Sequence, residues 1–269
     1  MRHIYARSDD SAQEQPRLLE RASTAELEQI KANVLTASTP RLPLAESLPA
    51  LAVDLSRLDP HLVVLSEHDP FASRQYGKLV VTLISLAAAR PLKRLLVTSA
   101  QHGDGRTSVV LNLAGALSSA KRRVLVLDTD LLRPSVLRLL GADVPAGLPE
   151  GVACGLPLED VAVRVEPFGF SLLATRARVE NPVGVLDSAM LRAYLQSLDL
   201  HYDFILFDSP PLLASPDAQV LLRLTDGVLL VIRPGAVTPA QMGRALTMFN
   251  KEDLIGVVLN RAETSSSYD

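Results

Sequence analysis

Short apolar runs recur through the chain from residue 94 onward, and segments of helical length separate them. The runs cover residues 94–99, 124–128, 171–174, 204–208, 227–232 and 255–260. Each is too short for a helix and apolar on both sides, as a parallel strand covered by helices on both faces must be. The intervening segments 108–120, 188–198 and 239–249 have helical length. This alternation predicts an α/β fold, doubly wound around a mostly parallel sheet. Such folds bind ligands beyond the carboxyl ends of their strands, so the polar residues that end each run carry the functional information.

Composition narrows the function classes. The 269 residues, 48% hydrophobic, suffice for a sizeable core and one to two domains. A formal charge of −3 with acids and bases nearly balanced gives no reason to expect a nucleic acid as main partner. The single cysteine, Cys154, excludes an intramolecular disulfide framework and a multi-cysteine zinc site. No apolar run approaches a bilayer's thickness, and the start MRHIYARSDD has no apolar signal core, so a cytoplasmic protein that meets a membrane only through a partner is expected. Residues 1–70 carry net −4 and residues 71–269 net +1. In the first segment one short helix is expected over 24–35, and Pro40, Pro43, Pro49 and Pro60 interrupt Leu- and Ala-rich text. Residues 1–70 therefore read as a loosely ordered N-terminal arm, either ordered by a partner or a plain tether. Residues 71–264 read as the folded domain and 265–269 as a short tail.

The first run leads into Ala100-Gln101-His102-Gly103-Asp104-Gly105-Arg106-Thr107-Ser108, and a helix follows. A strand, a glycine-rich turn and a helix N-terminus together make an anion cradle. Thr107 offers a hydroxyl where a nucleotide-bound Mg²⁺ would sit. The usual pattern G-x-x-x-x-G-K-[ST] is broken twice, by Ala100 for the first glycine and Arg106 for the lysine. The run at 124–128 ends in Asp128-Thr129-Asp130, and the run at 204–208 ends in Asp208-Ser209-Pro210-Pro211. Carboxylates at such strand ends can hold Mg²⁺ or take a proton from an attacking hydroxyl, and Asp208 stands where a Walker-B acid belongs. Any one of these acids alone reads as a loop or cap residue; three in this order after a glycine loop point to one site.

These residues resemble the kinase module of bacterial tyrosine kinases (BY-kinases) of the CpsD/CapB type, found in exopolysaccharide and capsule systems. Leu95-Leu96-Val97-Thr98-Ser99-Ala100 resembles the family's lead into Walker A, and residues 102–107 stand where it usually has P-G-E-G-K-S. Val124-Leu125-Val126-Leu127-Asp128-Thr129-Asp130 resembles Walker A′, continued by Arg133-Pro134-Ser135. Gly147-Leu148, Asn181-Pro182, Asp208-Ser209-Pro210-Pro211, Asp226-Gly227-Val228 and Gly256-Val257-Val258-Leu259-Asn260 follow in family order, so the resemblance spans about residues 60–262. It implies a P-loop fold of MinD/ParA type with ATP and Mg²⁺ as cofactors. Gly103, Asp104, Gly105, Arg106, Thr107 and Ser108 would surround the phosphates, and Asn260 matches a position near the adenine. Asp128 and Asp130, with Arg106, would serve phosphoryl transfer to tyrosine; Thr107, Asp130 and Asp208 would hold the metal. The implied partner is a membrane-anchored, Wzz-like chain-length regulator.

The departures are specific. Arginine keeps the charge of the Walker lysine but is planar and bulkier. Weak or absent transfer with nucleotide binding retained is the expectation. The family's oligomerisation pattern E-x-x-R-x-x-R falls on Arg74, Gly77 and Val80, which match none of it, so self-association stays an open expectation that this motif does not support. The family's C-terminal tyrosine cluster is reduced to Tyr268. His102 reads as a turn residue, and nothing near Cys154 marks a nucleophile. Three readings follow: a tyrosine kinase or kinase-like ATPase of polysaccharide export; a catalytically degenerate, nucleotide-responsive regulator of that complex; and, behind both, a MinD/ParA-like positioning ATPase. The last lacks the extra loop lysine, since Gln101 stands there.

Overall fold

The computed structural model describes residues 44–262. The helix expected over 24–35 and the tail with Tyr268 lie outside the described residues. Eight strands form one sheet: β1 (Ala50–Ala52), β2 (Arg94–Ser99), β3 (Val124–Asp128), β4 (Ala162–Glu166), β5 (Phe170–Leu173), β6 (Phe204–Asp208), β7 (Gly227–Ile232) and β8 (Leu254–Leu259). Their spatial order is β1-β4-β5-β3-β6-β2-β7-β8. Every neighbouring pair is parallel except β4 with β5.

Side-chain alternation along the central strands builds two cores. Val124 and Val126 of β3, Phe204 and Leu206 of β6, and Leu95 and Val97 of β2 face helices Pro70–Ala89, Arg106–Ser119 and Val136–Leu140. Leu125, Leu127, Ile205, Phe207 and Leu96 face Leu148–Cys154, Ala189–His201 and Asp217–Leu222. Both faces of these strands are apolar because both are covered. The same period of two puts Asp128 and Asp208, the last residues of β3 and β6, on the face of helix Arg106–Ser119. They are also direct partners in the β3–β6 register. Fold alone thus brings two acids side by side next to the helix that starts at Arg106.

The arm read over 1–70 is corrected in its second half. β1 pairs with β4 through Ala50–Arg164 and Leu51–Val165. Leu62 and Leu65 are buried in the core under helix Arg106–Ser119. Asn112 of that helix accepts the Val64 N–H at 2.8 Å and donates to the His61 carbonyl at 2.9 Å. Residues 44–70 therefore belong to the domain. Their elements are three or four residues long, so no period could announce them, and tertiary contacts hold them in place. Leu62→Ala is expected to cost about 2–5 kcal/mol in urea unfolding, the range for emptying a closed core site. A loss well under 1 kcal/mol would detach this segment from the core.

Candidate functional site

β2 ends at Ser99, and the chain turns through residues 100–105 into helix Arg106–Ser119. Gly103 and Gly105 both have φ of +87°, the left-handed region where a side chain is strained. Asn260, just past β8, lies over the loop and donates from Nδ2 to the Asp104 carbonyl at 2.8 Å. A Cβ on Gly105 would stand 2.1 Å from that nitrogen, so two independent constraints require glycine there. The first-turn amides of the helix have no acceptor within it, and they give the loop a donor surface for an anion.

Thr107 lies in that first turn. Its Oγ1 donates to Asp208 Oδ2 at 2.7 Å and stands 2.8 Å from Ser135 Oγ. Asp128 and Asp208 are 0% and 1% exposed. Both carboxylate oxygens of Asp128 and the Oδ1 of Asp208 lack a hydrogen-bond partner. Burial pushes the Asp128 carboxyl well above the usual range, and the neighbouring charges of Asp208 and Asp130 push it further. Burial also lifts Asp208 to about 7, against the opposing pull of Arg106 and the Thr107 hydroxyl. Asp130 is raised by burial too, with the Arg106 charge working against it.

Unpartnered buried carboxylates are costly unless a proton or a cation neutralises them. These oxygens suit a hard divalent cation, which prefers oxygen donors. Among the described residues no group of three or more His, Cys, Asp or Glu side chains can hold a metal by itself. A cation here therefore needs hydroxyl, water or phosphate oxygens to complete its shell. The donor set fits Mg²⁺ carried in with a nucleotide.

Arg106 is where this loop departs from its pattern. Its guanidinium is buried, and Nε donates to the Ser209 carbonyl at 2.8 Å. Nη1 donates to Ser99 Oγ at 2.7 Å and to the Gln101 carbonyl at 2.9 Å, while Nη2 lies 3.4 Å from Asp130 Oδ2. A guanidinium has five N–H donors. Four of them point to protein acceptors, which leaves one for a phosphate. Arg106 therefore cross-braces the ends of β2, β3 and β6, and it competes with any cation for Asp130.

Asp104 has a fully buried carboxyl, raised by burial, so its main chain is what the loop can offer a ligand. Ser108 is half-buried at the next helical position after Thr107, and His102 is exposed on the loop. Val80 is buried in the core, so the third oligomerisation position is not on a free face. Cys154 is exposed at the end of a helix, not in a loop. No local spacing marks Ser99, Ser209 and the Gln101 carbonyl as the receptor for Arg106. Ser135 enters the sequence reading only as part of the Arg133-Pro134-Ser135 match, with no role of its own.

The family described as ParA, NUBPL iron-transfer P-loop NTPase, matches residues 92–267. Tyrosine-protein kinase YwqD of Bacillus subtilis (strain 168) is 26% identical over 212 residues, covering 78% of this chain and 90% of YwqD. Tyrosine-protein kinase Etk of Escherichia coli (strain K12) is 32% identical over 181 residues, covering 65% of this chain but only 25% of Etk. The solved kinase domain of E. coli ETK superimposes with a TM-score of 0.67 at 28% identity, over 79% of this chain and 86% of that domain. The chain belongs to the ParA-type P-loop NTPase family, and the relatives it resembles here are named bacterial tyrosine-protein kinases.

Proposed function

We propose that the protein binds Mg·ATP at the loop 103–108 and acts as a tyrosine-kinase-like regulator of exopolysaccharide or capsule synthesis and export. The observation that carries this reading is the pair of buried carboxylates in register, Asp128 with both oxygens unpartnered and Asp208 with one, beside the Thr107 hydroxyl. In this reading the loop amides and Ser108 would bind phosphate, and Asn260 braces the loop through the Asp104 carbonyl. Thr107, Asp130 and Asp208 hold Mg²⁺, which neutralises phosphate charge when bound. Asp128, paired in register with Asp208, accepts the proton of the attacking tyrosine hydroxyl once the charge of a bound Mg²⁺ favours its ionised form. Arg106 contributes charge from a fixed position rather than a mobile clamp. Among the described residues no helix is long and apolar enough to cross a membrane. A membrane-anchored, Wzz-like chain-length regulator is the proposed partner that recruits the protein to the inner face of the membrane.

One observation favours a second reading, a nucleotide-responsive regulator that does not transfer phosphate: Arg106 spends four of its donors on the protein. The two are separated by incubating the full chain with Mg·ATP, with and without the cytoplasmic segment of the partner, and measuring phosphotyrosine and ATP hydrolysis. Partner-stimulated phosphotyrosine that disappears in Asp128→Ala is expected of the kinase. Nucleotide binding without turnover under both conditions assigns the regulator.

A further inference from the structure

We propose that Ser135 is a positioning residue for the divalent cation, acting through Thr107; the inference rests on the Mg·nucleotide reading above. Ser135 is the N-cap of the short helix Val136–Leu140, yet its side chain makes no capping hydrogen bond. Serine is favoured at that position because its hydroxyl can satisfy a free backbone N–H of the first turn. Here the hydroxyl gives up that bond and meets Thr107 Oγ1 at 2.8 Å instead.

Proton counting fixes the direction of this contact. Thr107 has one hydroxyl proton, and Asp208 Oδ2 at 2.7 Å accepts it, whether the carboxyl is ionised or carries its own proton on the unpartnered Oδ1. The proton between the two hydroxyls must then be that of Ser135. The order Ser135 O–H to Thr107 O–H to Asp208 locks the Thr107 rotamer from two sides. It leaves one lone pair on Thr107 Oγ1 free and oriented. Three oxygens from three separate segments thus meet: the turn after β3, the first turn of the loop helix and the end of β6. Without Ser135, Thr107 keeps only the Asp208 contact and can rotate about it, so its oxygen is less often presented to a cation. Ser135 therefore sets how much divalent cation the site needs. It does not set how tightly the loop amides grip phosphate.

The test is calorimetric titration of ATP into the full-length wild type, Ser135→Ala, Ser135→Thr and Thr107→Ala, across a series of Mg²⁺ concentrations and in EDTA. Mn²⁺ binding by electron paramagnetic resonance is read in parallel. Ser135→Ala is expected to need about 5–10 times more Mg²⁺ or Mn²⁺ for half-maximal tight binding, with its affinity in EDTA unchanged. Ser135→Thr, which restores a hydroxyl, is expected to return towards wild type, a rescue that a purely structural role would not produce. Because the side chain caps nothing, Ser135→Ala is expected to melt with the wild type. A wild-type cation requirement that Thr107→Ala loses and Ser135→Ala leaves unmoved would overturn the inference alone. Cation-independent ATP binding by the wild type would overturn the nucleotide reading and this inference together.

Discussion

Asp208→Asn is expected to melt higher than the wild type at pH 8 in EDTA and to lose Mg²⁺-dependent nucleotide binding. In the native state Asp208 holds its proton up to about pH 7, against 3.8 for an ordinary aspartate. A group with a raised native pKa contributes stability that is fully present below the unfolded value and is lost as pH rises through the native one. The metal-free wild type therefore weakens between about pH 4 and pH 7. The full swing for this one acid is on the order of 4 kcal/mol at about 1.4 kcal/mol per pKa unit. An asparagine keeps an oxygen for the Thr107 hydroxyl and carries no charge to bury. A gain of about 8–16 °C at pH 8, shrinking towards pH 5, is the corresponding shift for a domain of this size. Asp128, raised in the same direction, remains and leaves a shallower slope in the variant. Thermal melts from pH 5 to pH 8 check this, and a variant less stable than the wild type at pH 8 contradicts it. The opposite signs for stability and for binding are the signature of acids kept charged for a ligand rather than for the fold.

Arg106→Lys is expected to raise ATP turnover, or tyrosine phosphorylation in the presence of the partner, by at least about tenfold. The arginine is held by Ser209, Ser99, Gln101 and Asp130 at once. An ammonium has three donors on a flexible stem and cannot make that planar set of contacts. It releases Asp130 for the cation and can follow the phosphates as charge develops. A tenfold gain corresponds to about 1.4 kcal/mol of barrier, roughly the worth of one charge-assisted hydrogen bond. The same exchange is expected to cost about 1–3 kcal/mol of stability, because the Ser209 carbonyl and Ser99 hydroxyl lose a buried donor. Turnover unchanged in a stably folded Arg106→Lys protein would show that this side chain does not set the rate.

The central strands were legible because each is apolar on both faces: Leu95 to Val97 and Val124 to Leu127 can only be covered from two sides. Their terminal acids were legible for the same reason, since Asp128 and Asp208 break apolar runs at the carboxyl end. β4 escaped notice because Arg164 and Glu166 interrupt it and Pro167 follows directly. It is also the strand that runs antiparallel to its neighbour β5. β1 escaped because Ala-Leu-Ala has no pattern of its own and becomes a strand only by pairing with β4. Within the site, Arg106 was visible as a departure, but its consequence depends on Ser209, more than a hundred positions away. Ser135 acquires its neighbour Thr107 only when β3 and β2 lie on either side of β6. Contacts that depend on register and packing are properties of the fold, and no local spacing encodes them.

Isothermal titration of ATP into the wild type and Asp208→Asn, with Mg²⁺ and with EDTA, tests the central claim most directly. One-site binding by the wild type, strengthened by Mg²⁺ at least about tenfold and with that strengthening reduced in Asp208→Asn, is the expected result. No heat with any nucleotide, or binding that ignores both Mg²⁺ and the substitution, would show that these carboxylates and this loop do not form a Mg·nucleotide site.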